Sequence, residues 1–384
     1  MNHCIYVGCD LHKRTIVLRV AVDSEPSVPK RFEYSKAGRR AMLGWLLWRS
    51  KELGGARVIL AYETSGQGFV LCDEVRSVGF ECHVLATTRM KKSAKDRRNK
   101  DDDRDAQRIL QAVRDHFLAG DDLPSVWVPD GETRLDREVV RGRLDLGEAV
   151  TEAKELIVSL LDRNGLEKPA GLGGNWTRKH RAWLDELAVS ERIDWRLRVT
   201  LTSALARLAA VEREVAYLDE HVAAVAASER NAAVVKKLDE TKGVGLLVAI
   251  GVLLEMGDPA RFRNRRQAGS YTGLTPSSDE SGEANDRKGH ITRQGPRRLR
   301  RLLAQAVQAW VRWDPVAAET YRRLVGKHPK RKRIAKVAMM RRLAIRLWHA
   351  ARDARDPRPA EAAATAQAAT SWTPGTAETA AESR

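Results

Sequence analysis

Short apolar runs separated by turns fill the first third of the chain. Ile5, Tyr6 and Val7 lead into Gly8-Cys9-Asp10, so residues 4–10 predict a buried strand. Residues 15–22, rich in β-branched side chains, predict a second, and 31–34, alternating charged and aromatic, a third. The short links between them favour antiparallel neighbours. Met42, Leu43, Leu46 and Leu47 form the apolar stripe of a helix over 37–53. A further strand over 58–61 ends in Tyr62-Glu63-Thr64-Ser65-Gly66, and a helix over 69–78 leads to a strand over 82–85. After a loop over 89–100, Ala106, Ile109, Leu110 and Val113 recur at helical spacing. The order β-β-β-α-β-α-β-α describes a mixed α/β domain over residues 1–125.

The pattern then becomes helical. Residues 135–161 predict a long charged helix, interrupted by Gly142 and Gly147, and 165–174 a glycine-rich break. Over 195–222, Leu201, Leu205, Leu208, Val211, Val215, Leu218 and Val222 step by three and four, a coiled-coil-like seam. The two helices are read as an antiparallel hairpin or a dimer arm, with two core helices of one bundle as the alternative, in a middle region over 126–230. In a mainly helical part over 231–355, Gly243 and Gly245 precede the very apolar residues 246–256 and resemble a helix-hairpin-helix turn, which grips a nucleic-acid backbone through exposed N–H groups. A plain helix–helix turn is the alternative. Residues 262–274 are basic and amphipathic, 276–290 read as an exposed polar loop, and helices follow over 295–310 and 337–351. The segment 356–384, rich in Ala, Thr, Ser, Pro and Glu, has little to bury and reads as disordered.

Charge turns this architecture toward a partner. The 384 residues carry a formal charge of +17, from 68 Lys and Arg against 51 Asp and Glu. Such an excess suits a polyanion, most simply nucleic acid. The basic positions cluster: Lys91, Lys92, Lys95, Arg97 and Arg98 in one loop, Arg287, Lys288, His290 and Arg293 in another, then Arg297, Arg298, Arg300 and Arg301, and finally 327–336. No apolar run is long enough to span a bilayer and no signal peptide follows Met1, so no membrane partner is expected. Cys4, Cys9, Cys72 and Cys82 form no Cys-x-x-Cys pair, which points to a reduced, cytoplasmic protein without zinc or disulfides.

Against this basic background, residues 100–106 concentrate Asp101, Asp102, Asp103 and Asp105 at a helix N-terminus. The helix dipole favours negative charge there, and a bound cation or solvent would relieve the repulsion. Asp102 and Asp105, three apart, share one helix face, as do Asp101 and Asp105, four apart. Asp10 ends the first strand and Glu63 the fourth. In a ribonuclease-H-like sheet those strands are neighbours, and their ends meet the last helix at one spot. Asp10, Glu63, Asp102 and Asp105 together would hold two Mg²⁺ ions about 4 Å apart, suited to phosphodiester chemistry. Taken singly, Asp10 could cap a turn and Glu63 could pair with Lys13.

Gly8-Cys9-Asp10-Leu11-His12-Lys13, Glu63-Thr64-Ser65-Gly66 and residues 100–106 resemble the DEDD transposases of bacterial insertion sequences, whose N-terminal domain is RuvC-like. The resemblance continues through Gly243-Val244-Gly245, Gly257-Asp258, Arg261-Phe262, Tyr271-Thr272-Gly273-Leu274-Thr275-Pro276, Ser281-Gly282 and Gly289-His290-Ile291-Thr292-Arg293-Gln294-Gly295, covering roughly residues 4–350. It implies a recombinase guided by an element-encoded bridge RNA, acting on donor and target double-stranded DNA as a homodimer or tetramer. It also implies a catalytic serine in the C-terminal part that forms a phosphoserine link. By motif position that serine is Ser281, with Ser277 and Ser278 as rivals because Glu280 stands where the family often has another serine. Asp101 replaces the family's usual threonine, which leaves the register between Asp101 and Asp102 open. A junction nuclease using metal-activated water would need the carboxylates but not Ser281, and a non-catalytic nucleic-acid scaffold would need neither.

Overall fold

Five strands form the sheet of the N-terminal unit, in the order β3-β2-β1-β4-β5. They are β1 (Cys4–Leu11), β2 (Thr15–Val22), β3 (Val28–Glu33), β4 (Arg57–Glu63) and β5 (Glu81–Leu85), with helices α1 (Lys36–Glu52), α2 (Val70–Ser77) and α3 (Asp102–Ala119). β1, β2 and β3 pair antiparallel, whereas β4 and β5 run parallel to β1. This is the mixed, RNase H-like sheet expected from the sequence. The computed structural model describes residues 3–64, 66–86, 102–278 and 288–355. The basic stretch 89–100, residues 279–287 and the segment 356–384 lie outside the described residues. Within them the chain divides into two compact units, Met1–Pro129 and Asp130 onward.

Alternation along β1 and β4 sorts the first unit into two layers. Ile5, Val7, Cys9, Val58, Leu60 and Tyr62 face one side, where Met42 and Leu46 of α1 and Leu71 and Val75 of α2 close the core. Tyr6, Ile59 and Ala61 face the other, where Ile109, Leu110 and Val113 of α3 cover them. The helix lies unusually close to the sheet. A Cβ at Gly8 would stand 2.2 Å from the Ala106 carbonyl oxygen and 2.3 Å from the Leu110 nitrogen. The third strand starts at Val28, three residues before the alternating segment, because pairing with β2 extends across Pro29 to Val20.

The second unit is nearly all helix: α4 (Gly131–Arg163), α5 (Arg178–Val189), α6 (Trp195–Ala227), α7 (Glu229–Asp239), α8 (Leu246–Met256), α9 (Arg265–Tyr271), α10 (Arg297–Trp313), α11 (Pro315–Val325) and α12 (Lys332–Arg355). A small antiparallel ribbon of β6 (Pro276–Ser278) and β7 (Lys288–Ile291) interrupts it. α4 runs unbroken through Gly142 and Gly147, against the expected interruption. Packing outweighs the low helix propensity of glycine here, since a Cβ at Gly142 would already touch Leu218 of α6 at 3.4 Å. α4 and α6 are antiparallel: Arg143 meets Asp219 at 2.6 Å, and Arg230, just past the end of α6, reaches Asp130 at the start of α4 at 3.1 Å.

The seam of α6 serves two cores. Leu201 and Leu208 pack with Ile157 and Leu160 of α4 and Leu184 of α5. Val222 and Ala226 join Val140 and Leu144 of α4 in the large core around α8, α10 and α12. Part of the region 126–230 therefore shares a core with the residues after 230, while Ala153 to Leu208 keep a core of their own. α8 is buried from Ala249 to Met256, and its one acid, Glu255, is held by Arg141 of α4 at 2.7 Å and 3.0 Å. Burying a carboxylate requires such a paired guanidinium.

Three other expectations shift. The amphipathic segment 262–274 holds only the short α9, preceded by a one-turn 3-10 helix at Pro259–Arg261. The basic run 327–336 is partly helical, because α12 already begins at Lys332. The polar loop 276–290 has both its ends paired as strands.

Substituting Gly8 by Ala should lift α3 from β1, since the neighbouring atoms are backbone and cannot rotate away. We expect a loss of about 3 kcal/mol and a fall of roughly 10 °C in the melting of the first unit, read by differential scanning calorimetry. An unchanged melting profile would show that α3 does not depend on this contact.

Candidate active site

Strand register brings the first two acids together. Gly8 pairs with Ala61 and Cys9 with Tyr62 in the parallel β1–β4 ladder, so Asp10 and Glu63 leave adjacent strands side by side. Alternation then puts both on the face covered by α3, with Tyr6, Ile59 and Ala61. Because Gly8 admits α3 directly onto β1, the first turn of α3 arrives above these strand ends. It carries Asp102 and Asp105, as expected for an acidic helix start.

The side chains meet through two bridging residues, His12 and Arg108. His12 Nε2 lies 3.0 Å from Asp10 Oδ2 and 3.0 Å from Asp102 Oδ1. One ligand atom from each of Asp10, His12 and Asp102 lies within 4.8 Å of the others, all three residues half-buried. Arg108 bridges the other two acids, with Nη2 at 2.8 Å from Glu63 Oε1 and Nη1 at 2.9 Å from Asp105 Oδ1. Burial pushes the Asp10 carboxyl above its ordinary range; His12 pulls it back, and the charges of Asp105 and Asp102 push it further up. A raised carboxylate beside others of its charge is the electrostatic setting that a bound cation relieves.

Of the competing acids, Asp103 Oδ1 accepts from Arg19 Nε at 2.7 Å and so ties α3 to β2. Asp101 lies outside the described residues. Glu63 pairs with Arg108 rather than with Lys13. His12 and Arg108 were not singled out as site residues from the sequence, although both left a signal. His12 stands two residues past Asp10, just beyond the end of β1, and Arg108 three past Asp105, on the same side of the helix.

The donor set fits a hard divalent cation, which prefers carboxylate oxygen. Asp10, His12 and Asp102 form the candidate group, while Glu63 and Asp105 meet at Arg108.

In the second unit, the expected motifs hold one another. Gly273 takes φ +67°, and a Cβ there would meet the Arg293 carbonyl carbon and the Gln294 nitrogen at 2.9 Å. A Cβ at Gly295 would stand 2.1 Å from the Tyr271 carbonyl oxygen. Arg293 N–H donates to Gly273 O at 3.0 Å and Thr292 N–H to Thr275 O at 2.9 Å. Arg300 Nη1 donates to Gly295 O at 2.8 Å, with Thr272 O and Arg293 O at 3.4 and 3.3 Å. These contacts clamp the base of the β6–β7 ribbon. Ser277 Oγ donates to His290 O at 3.0 Å, and Gly289 leaves the room it needs. Ser281 and Arg287 lie outside the described residues, as do Lys91, Lys92, Lys95, Arg97 and Arg98 in the first unit.

The remaining basic positions divide by pairing. Arg298 meets Asp145 at 2.8 Å and Arg301 pairs with Glu148, both acids on α4. His290, Arg293 and Arg297 are exposed, and Lys288 opens β7. Gly243, at φ +85°, is pressed against α10, where a Cβ would come within 2.5 Å of the Trp310 nitrogen, so packing accounts for this glycine. Gly245 sits at the N-cap of α8. No helix among the described residues is long and apolar enough to cross a membrane.

Residues 7–164 match the model of the DEDD transposase domain of the IS110 type, and residues 235–322 match that of the transposase IS116/IS110/IS902 family. The chain is 27% identical over 377 residues to the putative transposase y4qE of Sinorhizobium fredii, an alignment covering 91% of this chain and 89% of the relative. It is 23% identical to the transposase of insertion sequence element IS1533 of Leptospira borgpetersenii, over 81% of this chain and 86% of the relative. The IS1111A transposase of Coxiella burnetii is 25% identical over 56% of each chain. With the acid-bearing sheet in the first matched segment and the start of the ribbon-bearing helical region in the second, the chain belongs to the IS110/IS116/IS902 family of transposases, with an N-terminal DEDD domain.

Proposed function

We propose that this transposase cuts and rejoins DNA through a serine hydroxyl, Ser281, at a Mg²⁺ centre formed by Asp10, Glu63, Asp102 and Asp105, with an element-encoded bridge RNA choosing the sites. The observation that carries the reading is the meeting of the β1 end, the β4 end and the first turn of α3, where Asp10 and Asp102 share His12. Two divalent ions held there would polarise the scissile phosphate and stabilise the charge that develops on its oxygens.

The chain's own residues divide the remaining work. Asp10 and Asp102 present oxygens in the half-buried pocket, and His12 holds their relative orientation. The Ser281 hydroxyl attacks phosphorus: its Oγ–P bond forms, a deoxyribose oxygen leaves and takes up a proton, and the DNA end stays joined as a phosphoserine. The reverse attack by a deoxyribose hydroxyl rejoins the strands. A serine hydroxyl needs activation by a neighbouring base or metal. Meeting that need requires the carboxylate centre and Ser281 to come together, within one protomer or across a homodimer or tetramer. Ser277 is the weaker candidate because its hydroxyl already donates to His290 O. Exposed Arg293, Arg297 and His290 with the basic run 327–336 would hold DNA and RNA backbones, contacts that position more than they specify.

Asp102→Ala and Asp105→Ala should each lower strand cleavage by about a thousandfold or more, the loss of several kcal/mol of charge stabilisation, while DNA binding stays nearly unchanged. Cleavage assays in Mg²⁺ beside mobility-shift titrations check this, and full cleavage by both variants would sink the assignment.

The protein should purify with RNA and release it as salt rises, with a log–log slope of order one unit per phosphate contact. An affinity indifferent to salt would contradict a polyanion-binding role.

Labelled DNA incubated with wild type and run on a denaturing gel should show a protein–DNA adduct. Ser281→Ala should lose the adduct and all recombination yet fold normally, and Ser277→Ala and Ser278→Ala should keep both. An adduct that survives Ser281→Ala moves the nucleophile elsewhere. Cleaved DNA without any adduct, even from trapped substrates, replaces the serine mechanism with water attack.

A further inference from the structure

The four carboxylates of the first unit are not equivalent. Asp10 and Asp102 are joined by His12, a neutral or singly charged imidazole. Glu63 and Asp105 are joined by Arg108, whose guanidinium keeps its charge and spends one terminal nitrogen on each. While it sits there, a divalent cation meets both a like charge and occupied oxygens. The arrangement is also incomplete: Arg108 Nε is buried without a hydrogen-bond partner. The side chain nevertheless remains 18% exposed, enough to be reached from outside. Phosphate is as good a bidentate partner for a guanidinium as a carboxylate is.

We propose that Arg108 is an internal counter-ion that closes the Glu63–Asp105 half of the centre to a divalent cation, and that a nucleic-acid phosphate opens it by taking over the guanidinium. The inference rests on the metal-centre reading above and adds an order of events to it. Without nucleic acid, the Asp10–Asp102 half takes a cation first. When a phosphate engages Arg108, Glu63 and Asp105 are freed together. Cation and nucleic acid then strengthen each other's binding by the same factor, as linkage requires. A transposase wired this way completes its centre only when nucleic acid is bound. Arg108 is thus a positioning residue that acts through the carboxylates it holds.

The test is calorimetric titration of Mn²⁺ into the full-length, nucleic-acid-free protein, repeated with a DNA duplex present. Wild type should show one strong and one weak site, the weak one tightening with DNA. Arg108→Gln should tighten the weak site about tenfold without DNA and abolish the gain that DNA brings. Arg108→Lys, which keeps the charge but loses the fork, should fall between. Arg108→Gln that binds Mn²⁺ like wild type or more weakly, with an unchanged circular dichroism spectrum, overturns the proposal. If the Gln variant does not fold, a Lys variant with wild-type affinities overturns it equally. Asp10→Asn separates the two readings. Loss of the strong site in that variant keeps the metal centre and leaves only Arg108 in question, whereas wild-type Mn²⁺ binding there removes the centre itself.

Discussion

Helix α3 can rest on the sheet only where β1 has no side chain. Gly8 provides that opening, with the Ala106 carbonyl and the Leu110 amide at the distance a methyl group would need. Ala61, its partner across the ladder, keeps the neighbouring strand equally low. The acid positions follow from this one contact. Asp10 lies two residues beyond Gly8 on the same face, Glu63 two beyond Ala61, and Asp102 and Asp105 precede Ala106 on the descending helix. A bulkier residue at position 8 would keep the composition of the site and destroy its geometry.

Bringing acids this close raises an electrostatic problem, which the first unit answers with its own arginines and a histidine. Arg19 takes Asp103 out of the cluster and pins α3 to β2. His12 and Arg108 then each hold a pair of the remaining carboxylates. The pairs are half-buried, so they are less screened than surface ion pairs and depend more on geometry. Each of these acids is thus oriented by a side-chain partner.

Much of this was legible in the sequence. Strand ends at Asp10 and Glu63, the buried face Ala106, Ile109, Leu110 and Val113, and the order of elements follow from local periodicity, and each appears in the structure. What could not be read were pairings that depend on distant partners. Nothing local says that Arg108 reaches Glu63, or that Arg19 chooses Asp103 over its neighbours. Gly142 and Gly147 illustrate the same limit: by propensity they should break α4, but Gly142 faces Leu218 of α6 and Gly147 faces Arg301 of α10, and the helix stays continuous. Gly243 read as a backbone-gripping turn because it precedes an apolar helix, and only the position of α10 accounts for it by packing.

The basic residues of the second unit carry the same lesson toward function. A run of arginines at the start of α10 invites a nucleic-acid reading, yet Arg298 and Arg301 are engaged by acids of α4 and Arg300 by three carbonyls at the ribbon base. Their charge serves to fasten helices and a turn. Arg293 and Arg297, exposed on either side of that clamp, have no such acid among the ion pairs of the described residues. Net charge alone overstates the surface available to phosphate, because part of it is spent inside the fold. The motif residues Thr272, Gly273, Arg293 and Gly295 likewise build a rigid base beneath the β6–β7 strands. The contacts of these residues, rather than the charge they carry, fix where the two strands leave the helical unit.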